Sequence, residues 1–189
     1  MSYVKYMNGS DADLLAKADE VAKWVERETH AAVARGEAVL AQKAVRVLEQ
    51  IRNGQSVVAF VDGQIVGYIT TYHLGKTEEL DWFEVGTAYV TPGFRGQGIG
   101  HELFKRIAEK HPEGVLMATT KNPVAQHLCQ EDDVQMCETD YIVVPADIRR
   151  GLCYNAICFV GDKMKGGPCA SECRHGGNCG LYVRWVMTK

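Results

Sequence analysis

A chain of 189 residues suits one domain with its own core, and 46% apolar with 24% charged residues is the balance of an ordinary soluble globular protein. The first fifteen residues lack a basic region followed by an apolar stretch, and no apolar run approaches the roughly 18–20 residues that span a bilayer. A secreted or membrane-spanning protein is thereby excluded as an expectation, and a cytoplasmic one is expected. The net charge of −3 is uneven, with seven Lys/Arg against two Asp/Glu over 148–189 and 14 against 22 before them. A basic end on an acidic body suits a negative partner such as a cofactor phosphate, an acidic substrate or nucleic acid.

Residues 3–7 alternate weakly and predict a short edge strand. Residues 8–34 predict a helix, with Ser10 as N-cap, Asp11 and Asp13 in the first turn, and Leu14, Ala18, Val21 and Ala32 at helical spacing. Gly36 breaks it. A second helix is predicted over 37–54, with Leu40, Ala44, Val47, Leu48 and Ile51 on one face and Asn53-Gly54 as its stop. Residues 56–74 read as a hairpin around Asp62-Gly63, a type I′ turn signal, and 79–90 as a third strand. A helix over 99–110 follows, then an apolar strand over 114–120 suited to burial on both faces. The next helix opens with Asn122 as cap and Pro123 at its first position. Two strands, 140–144 and 180–187, end the pattern. The order predicts an α/β (α+β) layer fold, a mixed central β-sheet flanked by helices in a single domain over 1–189, with a Cys/Gly-rich insertion at 151–180 before the last strand.

Between the third strand and its helix lies "VTPGFRGQGIG", residues 90–100. A strand running through a glycine-rich bend into a helix sets several backbone N–H groups at the helix's positive end, where an anion is favoured. Glycine also lets a phosphate approach without interference from a Cβ. The spacing matches neither the dinucleotide pattern G-x-G-x-x-G nor a Walker loop, since no Gly-Lys-Ser/Thr follows. A tight turn without a ligand is the plain alternative.

The stretch "AYVTPGFRGQGIGHELFKRI" resembles the signature of the GNAT superfamily of N-acyltransferases, with Tyr89, Val90, Pro92, Arg95, Gly96, Gly98, Ile99 and Gly100 in register. The resemblance extends over roughly residues 1–147 and the final strand, and it implies a GNAT-like fold with acetyl-CoA as cosubstrate. It implies further that the amides of Arg95, Gly96, Gln97, Gly98, Ile99 and Gly100, with the helix start at His101, hold the pyrophosphate. Val90 and its neighbour Tyr89 would pair with the pantetheine arm. An N–H near Ala88 would polarise the thioester carbonyl, and Asn122 would lie beside the pantetheine. The implied function is N-acetyl transfer from acetyl-CoA to an amine acceptor by direct attack on the thioester.

Such an attack needs a base for the acceptor amine, which is protonated near neutral pH. Glu84, six residues before Val90, stands where many family members carry a strand glutamate and is the expected base; a glutamate on a solvent face is the plain alternative. Asn122, Ala125 and Leu128 align with the family's "N-x-x-A-x-x-L-Y", but Cys129 replaces the tyrosine that protonates the leaving thiolate. Cys129 is then the expected donor, with Tyr141 and Tyr72 as alternatives, or it is a small buried residue.

Of seven cysteines, five lie between Cys153 and Cys179. Cys169, Cys173 and Cys179, with His175 between them and Cys158 or Cys153 as the fourth ligand, supply donors for tetrahedral zinc; reduced thiols or an iron–sulfur site are the alternatives. By the resemblance this insertion, with Lys163, Lys165 and Arg174, borders the acceptor groove. Two other functions fit the same fold: a nucleic-acid-modifying or nucleic-acid-binding protein gripping phosphates through the basic insertion, and a non-catalytic acyl-CoA-binding module.

Overall fold

The computed structural model describes residues 3–37, 39, 41–78, 80–120, 122–139, 144–145, 147–148 and 180–185. Its helices and strands run β1 (Val4–Asn8), α1 (Ala12–Ala16), α2 (Ala18–Ala34), α3 (Ala44–Arg52), β2 (Ser56–Val61), β3 (Gln64–Thr77), β4 (Leu80–Val90), α4 (Ile99–Glu109), β5 (Val115–Thr120), α5 (Pro123–Gln130), β6 (Cys137–Thr139) and β7 (Gly180–Arg184). The seven strands form one mixed sheet in the order β1-β2-β3-β4-β5-β7-β6. The α/β class and the helix-flanked mixed sheet are as expected. No helix among the described residues is long and apolar enough to cross a membrane.

Two compact units make up the chain, each drawn from two segments: Met1–Tyr72 with Gly86–Glu109, and His73–Val85 with Lys110–Lys189. In the first, β1 and β2 are antiparallel, as are β2 and β3. The hairpin turns on Asp62 (φ 49°) and Gly63 (φ 81°), both left-handed as a type I′ turn requires. Helices α1 to α3 bury Leu14, Val21, Val25, Val47 and Ile51 against Val58, Tyr68 and Tyr89. Each such side chain contributes about 1.5–3 kcal/mol on burial. Helix α4 buries Ile99, Leu103, Phe104 and Ile107 at helical spacing. It rests on β3 at Gly67, where an added Cβ would meet Leu103 at 3.0 Å and Ile99 at 3.4 Å.

Two helices differ from expectation. The first splits at Lys17 (φ −103°, ψ 6°), whose N–H turns back to the Leu14 carbonyl at 3.0 Å. Its cap is Asp11 and not Ser10, and the Asp11 carboxylate accepts from the Asn8 N–H at 2.7 Å, closing the strand-to-helix turn. Helix α3 begins at Ala44 and not at residue 37, because the backbone before it is held by α2 side chains. The Gln42 N–H donates to Thr29 Oγ1 at 3.0 Å, and the Gln42 carbonyl lies 3.2 Å from His30 Nε2. Leu40, expected on the apolar face, lies outside the described residues.

In the second unit, β4 and β5 run parallel with Trp82, Phe83 and Glu84 opposite Val115, Leu116 and Met117. Strand β7 pairs antiparallel with β5 and with β6. Trp82, Val115, Met117, Leu181 and Val183 cluster with Val144 and Ile148 on one face. The first four residues of β5 are buried regardless of parity, as the sequence predicts. His111 stacks on the Phe83 ring, centroids 3.9 Å apart, and its carbonyl accepts from Arg184 at 2.7 Å. The strand expected at 140–144 falls largely outside the described residues; the partner of β7 is Cys137–Thr139, just upstream.

Strand β4 changes step along its length. Its buried positions are Trp82 and Glu84, then Thr87 and Tyr89, so the alternation slips by one residue between Glu84 and Thr87. That is the signature of a bulge, which re-aims the side chains and leaves a backbone group out of the ladder.

Candidate active site

At the end of β4 the Thr91 N–H bonds to the Val66 carbonyl at 2.9 Å, and a 3₁₀ turn, Pro92–Phe94, leads into the glycines. Gly96 (φ 76°) and Gly98 (φ 78°) are left-handed, a conformation that costs most other residues strain. Alternation of left-handed with ordinary residues makes successive amides converge on one concave patch. A Cβ at either glycine would meet nothing within 4 Å, so the patch faces open space. Ile99 and Gly100 begin α4 directly, and its first-turn N–H groups, that of His101 included, add to the same positive end.

The Arg95 side chain turns away from this patch. Its Nε donates to the Val90 carbonyl at 2.8 Å and its guanidinium to Glu37 Oε2 at 2.6 Å, while it lies over the Tyr89 ring. Arg35 takes the other Glu37 oxygen at 2.8 Å and reaches the Tyr89 hydroxyl at 3.3 Å. Burial pushes the Glu37 carboxyl up, but the hydrogen bonds from Arg95 and Arg35 outweigh it and hold the group below the usual carboxylate range. The glycine bend is thereby pinned to the segment after α2. Sequence reading missed Glu37 and Arg35: they are 58 and 54 residues from their partners, and no spacing rule links them.

Tyr89 is buried edge-on against Trp24, with centroids 6.0 Å apart, so only its main chain is open to a cofactor. Ala88 is exposed and Val90 half-buried on the opposite parity of the strand. Gln97 reaches back to the Gly93 carbonyl at 3.4 Å.

In the second unit Glu84 is only 5% exposed, which removes the solvent-face alternative. Its Oε1 accepts from Thr119 Oγ1 at 2.7 Å, a partner not anticipated from sequence. Asn122 caps α5, its Oδ1 accepting from the Val124 N–H at 3.0 Å, with Pro123 in the first turn. Cys129 is fully buried, and burial pushes its thiol up to about 12. Such a thiol is a weaker acid than an ordinary one near 8.5, so proton donation to a departing thiolate runs uphill by about 4–5 kcal/mol. Burial thus argues against the donor role expected of Cys129 and for the small buried residue. Tyr182, opposite Ala118 and Glu138, also has a raised pKa, from burial and then from Glu138 and Cys129.

The expected zinc ligands Cys158, Cys169, Cys173 and Cys179, with Cys153 and His175, lie outside the described residues, as do Lys163, Lys165, Arg174 and Tyr141. Among the described residues no group of three or more His, Cys, Asp or Glu is placed to hold a metal ion.

The family model described as "Acetyltransferase (GNAT) family" matches residues 19–131, more than half of the chain. No curated protein sequence matches it. Among solved structures the chain is similar to N-acetylglutamate synthase from Neisseria gonorrhoeae complexed with coenzyme A and N-acetyl-glutamate, at TM-score 0.60 and 16% identity. All of this chain is covered there but only 36% of the synthase, so it spans about a third of that protein's length. It is similar as well to diaminobutyrate acetyltransferase from Paenibacillus lautus in complex with its substrate and coenzyme A, at TM-score 0.59 and 14% identity over 97% of this chain and 95% of that one. A GNAT-family acetyltransferase from Streptococcus agalactiae matches at TM-score 0.59 and 13% identity over the whole of both chains.

Proposed function

The chain belongs to the GNAT acetyltransferase family, and from that premise we propose that it moves an acetyl group from acetyl-CoA to the nitrogen of an amine acceptor. The glycine bend feeding α4 carries this reading: two left-handed glycines, open space beside both, and a helix N-terminus immediately after them. The amides of residues 95–101 bind the pyrophosphate, and the main chain of residues 88–90 aligns the pantetheine arm and thioester. Solved relatives with coenzyme A bound support the choice of cosubstrate.

Glu84 serves as the base. It takes a proton from the acceptor ammonium, directly or through one water, and the freed nitrogen lone pair attacks the thioester carbonyl carbon. A C–N bond forms, negative charge develops on the carbonyl oxygen, and the Ala88 N–H stabilises it. The tetrahedral species collapses with cleavage of the C–S bond, the sulfur leaving as thiolate, and the nitrogen's second proton passes through solvent to that thiolate, giving the amide and free coenzyme A thiol. A thiolate whose conjugate acid sits near 8.5 is an adequate leaving group close to neutral pH, so no side chain has to protonate it.

Calorimetric titration with coenzyme A and acetyl-CoA tests the proposal, beside the Gly98→Val variant, which a left-handed backbone strains. The parent should bind both ligands and the variant neither. Equal affinity in the two proteins, or none in the parent, overturns the assignment. Binding without thiol release on any amine identifies the non-catalytic module instead.

A further inference from the structure

Strand β4 carries a glycine where its alternation changes step. Gly86 lies between Glu84 and Thr87, the residues across which the pattern slips. Its φ is not left-handed, so no backbone conformation demands a glycine there. Space demands it: a Cβ at Gly86 would fall on Tyr72 Cε2 and only 2.6 Å from Cδ2. Strands β3 and β4 are neighbours in the sheet, and the edge of the Tyr72 ring stands where a β4 side chain would otherwise be.

The ring is itself held in place. Tyr72 is 5% exposed, and its hydroxyl donates to Gln42 Oε1 at 3.2 Å. Gln42 is buried in turn and anchored to α2, its N–H donating to Thr29 Oγ1 at 3.0 Å. The guanidinium of Arg46, in the first turn of α3, lies over the ring, 5.3 Å from its centroid. With the hydroxyl directed at Gln42, what Tyr72 presents to Gly86 is ring carbon. All of these residues belong to the first unit.

A glycine inside a strand leaves the backbone freer than any other residue would, and an aromatic ring packed on it from the adjacent strand removes that freedom. The lever is short. Two positions beyond Gly86 stands Ala88, whose N–H the proposed reaction directs at the thioester oxygen. A donor to a developing oxyanion works only if aimed in advance, and a misplacement of about 1 Å can cost about a hundredfold in rate.

We infer that Tyr72 is a positioning residue for acetyl transfer: clamped by Gln42 and Arg46, its ring fixes the backbone at Gly86 and thereby the aim of the Ala88 N–H. This rests on the acetyl-transfer reading and adds to it a residue that acts through the main chain of β4.

The test reads the thioester carbonyl itself. Acetyl-CoA isotopically labelled at that carbon is bound to the full chain, and its carbonyl stretch is measured by infrared difference spectroscopy. Calorimetry gives the affinity, and thiol release is followed with the standard L-amino acids, spermidine and a short peptide as trial acceptors. The parent's band should lie below that of free acetyl-CoA. Tyr72→Leu should return it toward the free value, with kcat about ten- to a hundredfold lower and affinity within about threefold. Gly86→Ala, which meets the ring from the other side, should do the same. Tyr72→Phe, which keeps the ring but releases it from Gln42, should do so in part. If Tyr72→Leu melts early, Tyr72→Phe decides, since a merely structural tyrosine would lower Tm without moving the band. A band unshifted in the parent, or one left in place by the Tyr72 variants, overturns the inference while the transferase reading stands on binding and thiol release. A parent that fails to bind acetyl-CoA, or releases no thiol with any trial amine, removes both.

Discussion

Two side chains of similar burial are expected to behave oppositely when changed. Glu84 is buried and accepts from the Thr119 hydroxyl. Glu84→Gln keeps the shape and removes the base, so kcat should fall about 10²- to 10⁴-fold with acetyl-CoA affinity unchanged. Cys129→Ser should leave kcat within about threefold, because a thiol held near 12 contributes no proton. Steady-state kinetics beside calorimetry separates the two cases; a collapse of kcat in Cys129→Ser would restore the donor role to that residue. The sequence pointed to both positions but could not reveal their surroundings. Thr119 lies 35 residues from Glu84, and the burial of Cys129 follows from strands that close over α5.

Among the elements, those specified by adjacent residues were legible in advance. Asp62-Gly63 forms its turn because each residue locally favours positive φ, and Asn122-Pro123 starts α5 because cap and first-turn residue sit side by side. The elements misplaced were those settled by distant partners. Residues 37–43 have a helical pattern, yet Thr29 and His30 claim the Gln42 backbone and Arg95 claims Glu37. That last tie predicts a loop defect: Glu37→Gln, measured by calorimetry, should weaken coenzyme A binding about three- to tenfold without lowering kcat at saturation, since a weakened charge pair loosens the bend and leaves its amides intact. The pH sign follows from a carboxyl held below 4.5. The stabilisation is complete above about 4.5 and disappears as pH falls through the lowered value, so Glu37→Gln should flatten the parent's acid loss of affinity in that range.

For the molecule as a whole, acid stability has a second source. His111 is brought down to about 4 by burial first, then by Lys110, Arg184 and His73, while an unfolded histidine titrates near 6.5. Between those values the unfolded chain binds a proton that the native one refuses, so stability is fullest above about 6.5 and declines as pH drops toward 4. The difference amounts to about 3 kcal/mol at most. Chemical denaturation at several pH values should show a slope there that His111→Asn removes; an unaltered slope would assign the acid loss elsewhere. Little in the local sequence marks His111, since the ring it stacks on and the arginine that bonds its carbonyl, Phe83 and Arg184, come from two strands distant in the chain. The strand-and-helix order was readable because each element announces its own period, whereas the described strand pairs join segments as far apart as Leu116 and Arg184.

The change of step between Glu84 and Thr87 has a genetic corollary. Removing a single codon there would restore an unbroken alternation that keeps Thr87 and Tyr89 on the same buried face as Glu84, and would take away only the extra residue that kinks the strand. An in-frame loss of one neutral residue should thus leave the core intact and straighten the strand beside the thioester, separating the work of the kink from that of any side chain.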